Sequence, residues 1–193
     1  MNKPNYDKIM IERIENGARG KRLLLHCCCA PCSSACLERL KDDFQITVLF
    51  YNPNIENPEY EKRKSELIRL INTTGWASFL DCDHDTNEFY SAIKGLENEK
   101  EGGKRCEKCF ELRLAKTAYL AKDFDYFTTT LTISPLKNAA LINEIGSRLG
   151  GDKWLYSDFK KGDGYLKSIK LSEKYCLYRQ NYCGCVYSKT KKG

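Results

Sequence analysis

Leu23-Leu24-Leu25-His26-Cys27-Cys28-Cys29-Ala30-Pro31-Cys32-Ser33-Ser34-Ala35-Cys36 is the stretch on which the architecture turns. The leucine run, taken with its neighbours as residues 22–26, reads as a buried strand, and residues 35–40 read as the start of a helix continuing to about 42. The cysteines therefore sit on a strand-to-helix turn. In an open α/β sheet that turn lies at the carboxyl end of a strand, where ligands bind and where first-turn amides favour negative charge. A thiolate is stabilised there for the same reason as a phosphate.

Outward from this turn the pattern alternates. Before it, residues 6–15 carry Tyr6, Met10 and Ile14 four apart with Ile11 beside them, an amphipathic helix stopped at Asn16-Gly17. After it, residues 45–51 read as a second strand ending in the turn Asn52-Pro53-Asn54. Asn57-Pro58 reads as cap and first position of a helix with its apolar face over residues 60–72. Residues 76–80 form a third strand running into Asp81-Cys82-Asp83-His84-Asp85, and Thr86 or Asn87 caps a helix through about residue 97. The charged segment 98–105, with Gly102-Gly103, reads as a mobile loop opening onto Cys106-Glu107-Lys108-Cys109 and a helix over 110–122. Residues 124–133 are the fourth strand. Ser134-Pro135 starts a helix ending near Gly150, and residues 153–156 are a short fifth strand. Strands alternating with helices through short crossovers imply a single α/β domain, a mostly parallel sheet of about five strands covered on both faces, with a helical C-terminal segment.

Composition narrows the class. The chain has 193 residues, 41% hydrophobic and 30% charged, ordinary for one globular domain with a real core. Eleven cysteines are an odd number in tight clusters, which argues against a secreted disulfide framework. No apolar signal core or membrane-spanning run is visible, so a reducing cytoplasm is expected and clustered cysteines there imply metal or redox chemistry. A net charge of +6 permits an anionic partner without requiring one. Beyond Ser157, Phe159, Lys160, Lys161, Tyr165, Lys167, Lys170, Lys174, Tyr175, Tyr178, Arg179, Tyr182 and Tyr187 interleave rings with cations, and Lys189, Lys191 and Lys192 close the chain. That mixture suits RNA, with bases stacked and phosphates neutralised, and it equally suits tyrosines packed on the sheet.

The cysteines divide by spacing. Cys106 and Cys109 share one face of a helical turn and reach a single centre, and on an irregular turn Cys28 and Cys29 can both be aimed at it. Four thiolates fit a tetrahedral zinc or a four-iron cluster; an adjacent pair makes a poor zinc knuckle, which favours iron and sulfur. Cys36 and Cys176 have apolar neighbours and read as small core residues, with Cys27 in the same class and Cys82 unassigned. Cys29-Ala30-Pro31-Cys32 also matches a thioredoxin-like dithiol motif, with Thr132-Ile133-Ser134-Pro135 as a proline loop, but that chemistry leaves Cys28, Cys106, Cys109, Cys183 and Cys185 without work. A disulfide across Cys183-Gly184-Cys185 closes a strained, easily reduced ring suited to passing electrons; two of four zinc ligands is the alternative.

Three motifs in order, His26-x-Cys28-Cys29-Ala30-Pro31-Cys32, Cys106-x-x-Cys109 with Glu111-Leu112-Arg113, and Tyr178-Arg179-Gln180-x-Tyr182-Cys183-Gly184-Cys185-x-Tyr187-Ser188, resemble the cobalamin-independent epoxyqueuosine reductases. The resemblance implies a HUP/Rossmann-like domain that reduces epoxyqueuosine to queuosine at the wobble position of tRNAs for Asp, Asn, His and Tyr. It implies a [4Fe-4S] cluster on Cys28, Cys29, Cys106 and Cys109, a redox-active pair Cys183 and Cys185, and an additional iron beside the cluster. Cys32, Asp81 and Asp83 are the candidates to help hold that iron, against the simpler role of Asp81 and Asp83 as helix caps. Electrons are expected from an external donor, since no nicotinamide or flavin fingerprint is visible, and the turn lacks the glycines that let a phosphate approach.

Overall fold

Leu23 and Leu25 pack into one core and Leu24 into another, so the first strand is buried on both faces and needs helices on each. The computed structural model describes residues 4–189 and supplies them. Lys191 and Lys192 of the basic terminus lie outside these residues. Strand β1 (Arg22–His26) pairs in parallel with β2 (Gln45–Leu49) on one side and β4 (Tyr126–Thr129) on the other, and β3 (Ser78–Leu80) pairs in parallel with β2. The order is β3-β2-β1-β4.

Helices α1 (Tyr6–Arg13), α2 (Ala30–Leu40), α3 (Glu59–Thr74) and α7 (Gly164–Lys174) contribute to the core under Leu23 and Leu25. On the opposite face, α5 (Lys104–Leu120) and α6 (Ala139–Gly150) pack over Leu24, Phe127 and Trp154. The short α4 (Thr86–Ala92) contributes Phe89 to a small cluster with Cys109 and Cys185. Because β1 leads to α2 on one face and β4 to α6 on the other, the connections diverge above the β1/β4 boundary and leave a crevice. Among the described residues no helix is long and apolar enough to cross a membrane.

The fifth strand is absent: Trp154 makes one parallel bridge to Phe127, and the rest of 153–156 stays off the ladder. Its apolar character serves helix packing instead. The Trp154 indole lies where a Cβ on Gly146 of α6 would stand, and its Nε1 donates to Asn143 Oδ1 at 3.1 Å. The fourth strand is also shorter than its apolar run, because Thr129 Oγ1 accepts from Leu131 N and turns Thr130–Ile133 into a 3-10 helix. Helix α2 starts at Ala30, earlier than its apolar spacing suggests; Pro31 in its first turn needs no N–H partner. Ser134-Pro135 forms a turn, and α6 is capped four residues later by Asn138 Oδ1, which accepts from the amides of Ala140 and Leu141. Asp85 caps α4, in place of Thr86 or Asn87. Pro58 stands at the cap of α3 and Glu59 begins it.

Candidate metal centre and cleft

The turn after β1 sorts its cysteines by face. Cys27 N donates to Leu49 O, prolonging the ladder by one residue, and its side chain enters the α2 core as a fully buried thiol. The backbone then leaves the sheet. Cys29, extended at φ −172°, becomes the N-cap of α2, and Cys32 sits in the first turn. The sulfurs of Cys28, Cys29 and Cys32 lie within 4.8 Å of one another. Thiolates bonded to one ion at about 2.3 Å have this spacing. Hydrogen bonding with Cys29 and Cys32 holds Cys28 well below the ordinary thiol range; the bond with Cys28 and burial push Cys29 up to about 12 against the bond with Cys32, and the bonds with Cys28 and Cys29 raise Cys32 together with burial. One of the three is thus the first to ionise.

Cys106 and Cys109 stand one helical turn apart near the start of α5, on the other side of the crevice. Burial raises both, Cys109 to about 12. A chamber of about 80 Å³ is lined by Cys106, Cys109, Cys183, Cys185 and Lys137, and an outer chamber of about 390 Å³ by Cys28, Cys32, Cys183, Lys137, Tyr165 and Arg179. Glu101, Leu136, Lys137, Cys183 and Ser188 line both, so the two form one cleft. The structure therefore brings Cys28, Cys32, Cys106, Cys109, Cys183 and Cys185 to one cleft, with Cys29 beside Cys28. Cys183 and Cys185 are free thiols here, as are all the cysteines. Asp81 is not at the cleft: it is exposed and pairs with Lys64 at 2.6 Å. Asp83 is exposed on the same loop.

Beneath the cysteines is a buried polar network. Asn52, three residues past the end of β2, donates from Nδ2 to Cys27 O at 2.9 Å and accepts from Arg113 Nη2 at 2.6 Å. Arg113 is 1% exposed, and its remaining neighbours are His26 and, at 3.9 Å, Cys109 Sγ. Among the described residues no carboxylate contacts it. Burial opposes its charge, and the sulfurs of Cys109, Cys28 and Cys183 outweigh burial and raise it. His26 is pushed down to about 3 by burial first and Arg113 second, so it is neutral. A backbone carbonyl only accepts, so Nε2–H donates to Tyr51 O at 3.0 Å and Nδ1 accepts from the Thr129 hydroxyl at 2.8 Å, which makes Arg113 Nε, 3.4 Å from Nε2, a charged neighbour of the ring and not a donor to it. This tautomer leaves Thr129 Oγ1 free to accept from Leu131 N. Lys137 is half-buried; the sulfurs of Cys183, Cys28 and Cys32 raise it against the effect of burial.

The C-terminal segment closes the cleft from above α3. Arg63, 1% exposed and paired with Glu59 at 2.6 Å, donates to Cys183 O at 3.0 Å. Gly184 takes φ +132°, and a Cβ on it would stand 2.8 Å from Ile55 Cγ1 and 3.0 Å from Arg63 Nη1. Only glycine fits here.

A family model described as epoxyqueuosine reductase QueH matches residues 23–191, a span holding every cysteine of this cleft. The chain belongs to this family. It is 42% identical to the epoxyqueuosine reductase QueH of Streptococcus pyogenes serotype M1, over 99% of this chain and 80% of that protein. The QueH proteins of Staphylococcus epidermidis and Thermotoga maritima are 40% and 37% identical, over 99% and 86% of this chain and 87% and 89% of theirs.

Within this epoxyqueuosine reductase fold, two residues that line the cleft, Lys137 and Glu101, and two of the network beneath it, Arg113 and Asn52, escape a reading of motifs for metal ligands. Arg113 had a signal, since it follows Cys109 by one turn and faces inward with it. Asn52 stood in what reads as an ordinary turn, and Lys137 and Glu101 sit in loops with nothing to mark them. Cys36 is a core thiol as its neighbours suggest, but Cys176 is exposed. It occupies the left-handed position after α7, φ +50°, while Leu177 takes the buried place and donates its N–H to Ser172 O.

Proposed function

We propose that this protein is an epoxyqueuosine reductase acting on the wobble nucleoside of tRNAs for Asp, Asn, His and Tyr, with a [4Fe-4S] cluster held by Cys28, Cys29, Cys106 and Cys109. The observation that supports it is the buried guanidinium of Arg113, with Lys137 nearby, set among cysteines and touching no carboxylate of the described residues. A buried cation without a counter-charge is costly, and an anionic iron-thiolate centre is the counter-charge these sulfurs can form. The donor set is all sulfur, which suits iron and excludes a hydrated hard cation.

The reaction breaks both C–O bonds of the epoxide, forms a C=C bond between the two ring carbons and releases the oxygen as water. It consumes two electrons and two protons. When bound, the cluster supplies electrons one at a time. Lys137, common to both chambers, is the cation available to the departing oxygen. Oxidation of Cys183 and Cys185 to a disulfide releases two electrons and two protons, the amount required, and an external low-potential electron carrier restores the dithiol. Cys32, beside Cys28 and Cys29, is the proposed ligand for an additional iron. At the outer chamber, Arg179 over the Tyr165 ring at 5.9 Å, together with Tyr182, offers the stacked and cationic surface that a splayed anticodon needs.

The test is anaerobic incubation of iron-loaded protein with tRNA carrying epoxyqueuosine and a strong reductant, followed by nucleoside digestion and mass analysis. Conversion to queuosine is expected; none from fully loaded protein refutes the assignment. The placement of Cys29 at the N-cap and Cys32 in the first turn of α2 also favours a dithiol oxidoreductase. That reading requires Cys106→Ala and Cys109→Ala to retain activity.

A further inference from the structure

Among the described residues that line the two chambers, Arg105, Lys137 and Arg179 are cationic and Glu101 is the one carboxylate. A glutamate in a charged surface loop is ordinarily just solvated. This loop, however, is tied to the centre. Gly102 N donates to Cys106 Sγ at 3.2 Å, and Arg105, 3% exposed, donates to Glu97 O at 2.8 Å and to Glu99 O while its guanidinium lies 4.6 Å over the Tyr187 ring. Glu101 is thereby held where the chambers join. Two further acceptors on the cleft walls lack a donor: Asn54 Oδ1 at the inner chamber and Gln180 Oε1 at the outer one, both buried. Unpaired buried acceptors are costly, so the ligand this cleft takes must bring N–H or O–H donors.

Epoxyqueuosine carries such donors. Its cyclopentane diol is joined to the deazaguanine through a secondary amine, which is an ammonium at neutral pH. Three cations around the cleft repel that group, and a single carboxylate decides whether it enters. We propose that Glu101 pairs with the linker ammonium and is the residue by which the enzyme separates the modified nucleoside from a plain guanosine at the same tRNA position. The inference rests on the substrate reading above and adds the group that recognises the substrate. A charge-assisted hydrogen bond in a partly closed cleft contributes on the order of tenfold or more in affinity.

The experiment compares binding of two tRNAs to the iron-loaded protein, one carrying queuosine, which keeps the amine and cannot react, and one carrying guanosine. Wild type is expected to prefer the queuosine tRNA. Glu101→Gln should lose about tenfold of that preference with unchanged affinity for the guanosine tRNA and unchanged iron content, and Glu101→Asp should keep part of it. An unaltered ratio in Glu101→Gln overturns the proposal, as does an equal loss on both tRNAs, which would mark a purely structural loop. A wild type that shows no preference and reduces no epoxyqueuosine overturns the substrate reading together with it.

Discussion

Lowering the pH from 7 to 5 should destabilise this protein through one imidazole. His26 is wholly buried, neutral, and next to the Arg113 guanidinium, with a pKa of about 3 against an ordinary value near 6.5. The folded state refuses a proton that the unfolded chain accepts, so stability is intact above pH 6.5 and falls as the pH drops toward the folded value. Each unit in that window costs about 1.4 kcal/mol, so roughly 2 kcal/mol is lost between pH 6.5 and 5, and the full difference approaches 5 kcal/mol. The chain has two histidines, and Cys28, held low in the fold, adds a slope of the same sign in metal-free protein, so the comparison with a His26 variant is what isolates the imidazole. Urea unfolding of reduced, metal-free protein at half-unit steps should show uptake of at least one proton on unfolding. The same series on His26→Gln should be shallower by about one proton between pH 6.5 and 5. A wild-type slope below about 0.5 kcal/mol per pH unit, or an equal slope in the variant, would refute the neutral, Arg113-facing imidazole.

Three further outcomes follow from packing. Gly184→Ala must move Ile55 or Arg63 and strain a φ of +132°, so a loss of roughly 2 to 4 kcal/mol in denaturant midpoints, with a parallel loss of reductase activity, is expected. Asn52→Leu leaves Cys27 O and Arg113 without their buried partner and should cost about 2 to 4 kcal/mol and lower iron retention on gel filtration. Cys36→Ser buries a hydroxyl in an apolar core and should cost about 1 to 3 kcal/mol, whereas Cys176→Ser at an exposed position should shift the thermal midpoint by no more than about a degree or two.

The parts of this molecule that repeat a local physical pattern were readable in the chain. The Leu23–Leu25 run is buried on both faces as a parallel strand requires, and the cysteines lie at its carboxyl end. Boundaries failed where tertiary demands override local preference. The apolar stretch at Trp154 fills a notch made by Gly146 on α6, a long-range fit that strand propensity does not contain. Ser134-Pro135 has the chemistry of a helix start, yet Asn138 satisfies two amides and takes the role, and the intervening turn places Lys137 at the cleft. Cys176 is exposed despite its apolar neighbours because its position is left-handed, which only the backbone shows. Asp85, not its neighbours Asp81 and Asp83, caps α4, and Asp81 is held by Lys64. The convergence of two distant cysteine groups on one cleft was visible as spacing; the cations behind them were not, since charge in a sequence does not reveal burial.

The central claim is that sulfurs from the β1 turn and from α5 share one iron centre. Its most direct test is iron and acid-labile sulfide per chain after anaerobic purification of wild type, Cys28→Ala and Cys109→Ala. About four sulfides and five irons per wild-type chain, the fifth iron being the additional one proposed at Cys32, with loss of the cluster in both variants, is the predicted result. Zinc without sulfide in wild type, or full iron in either variant, would contradict it.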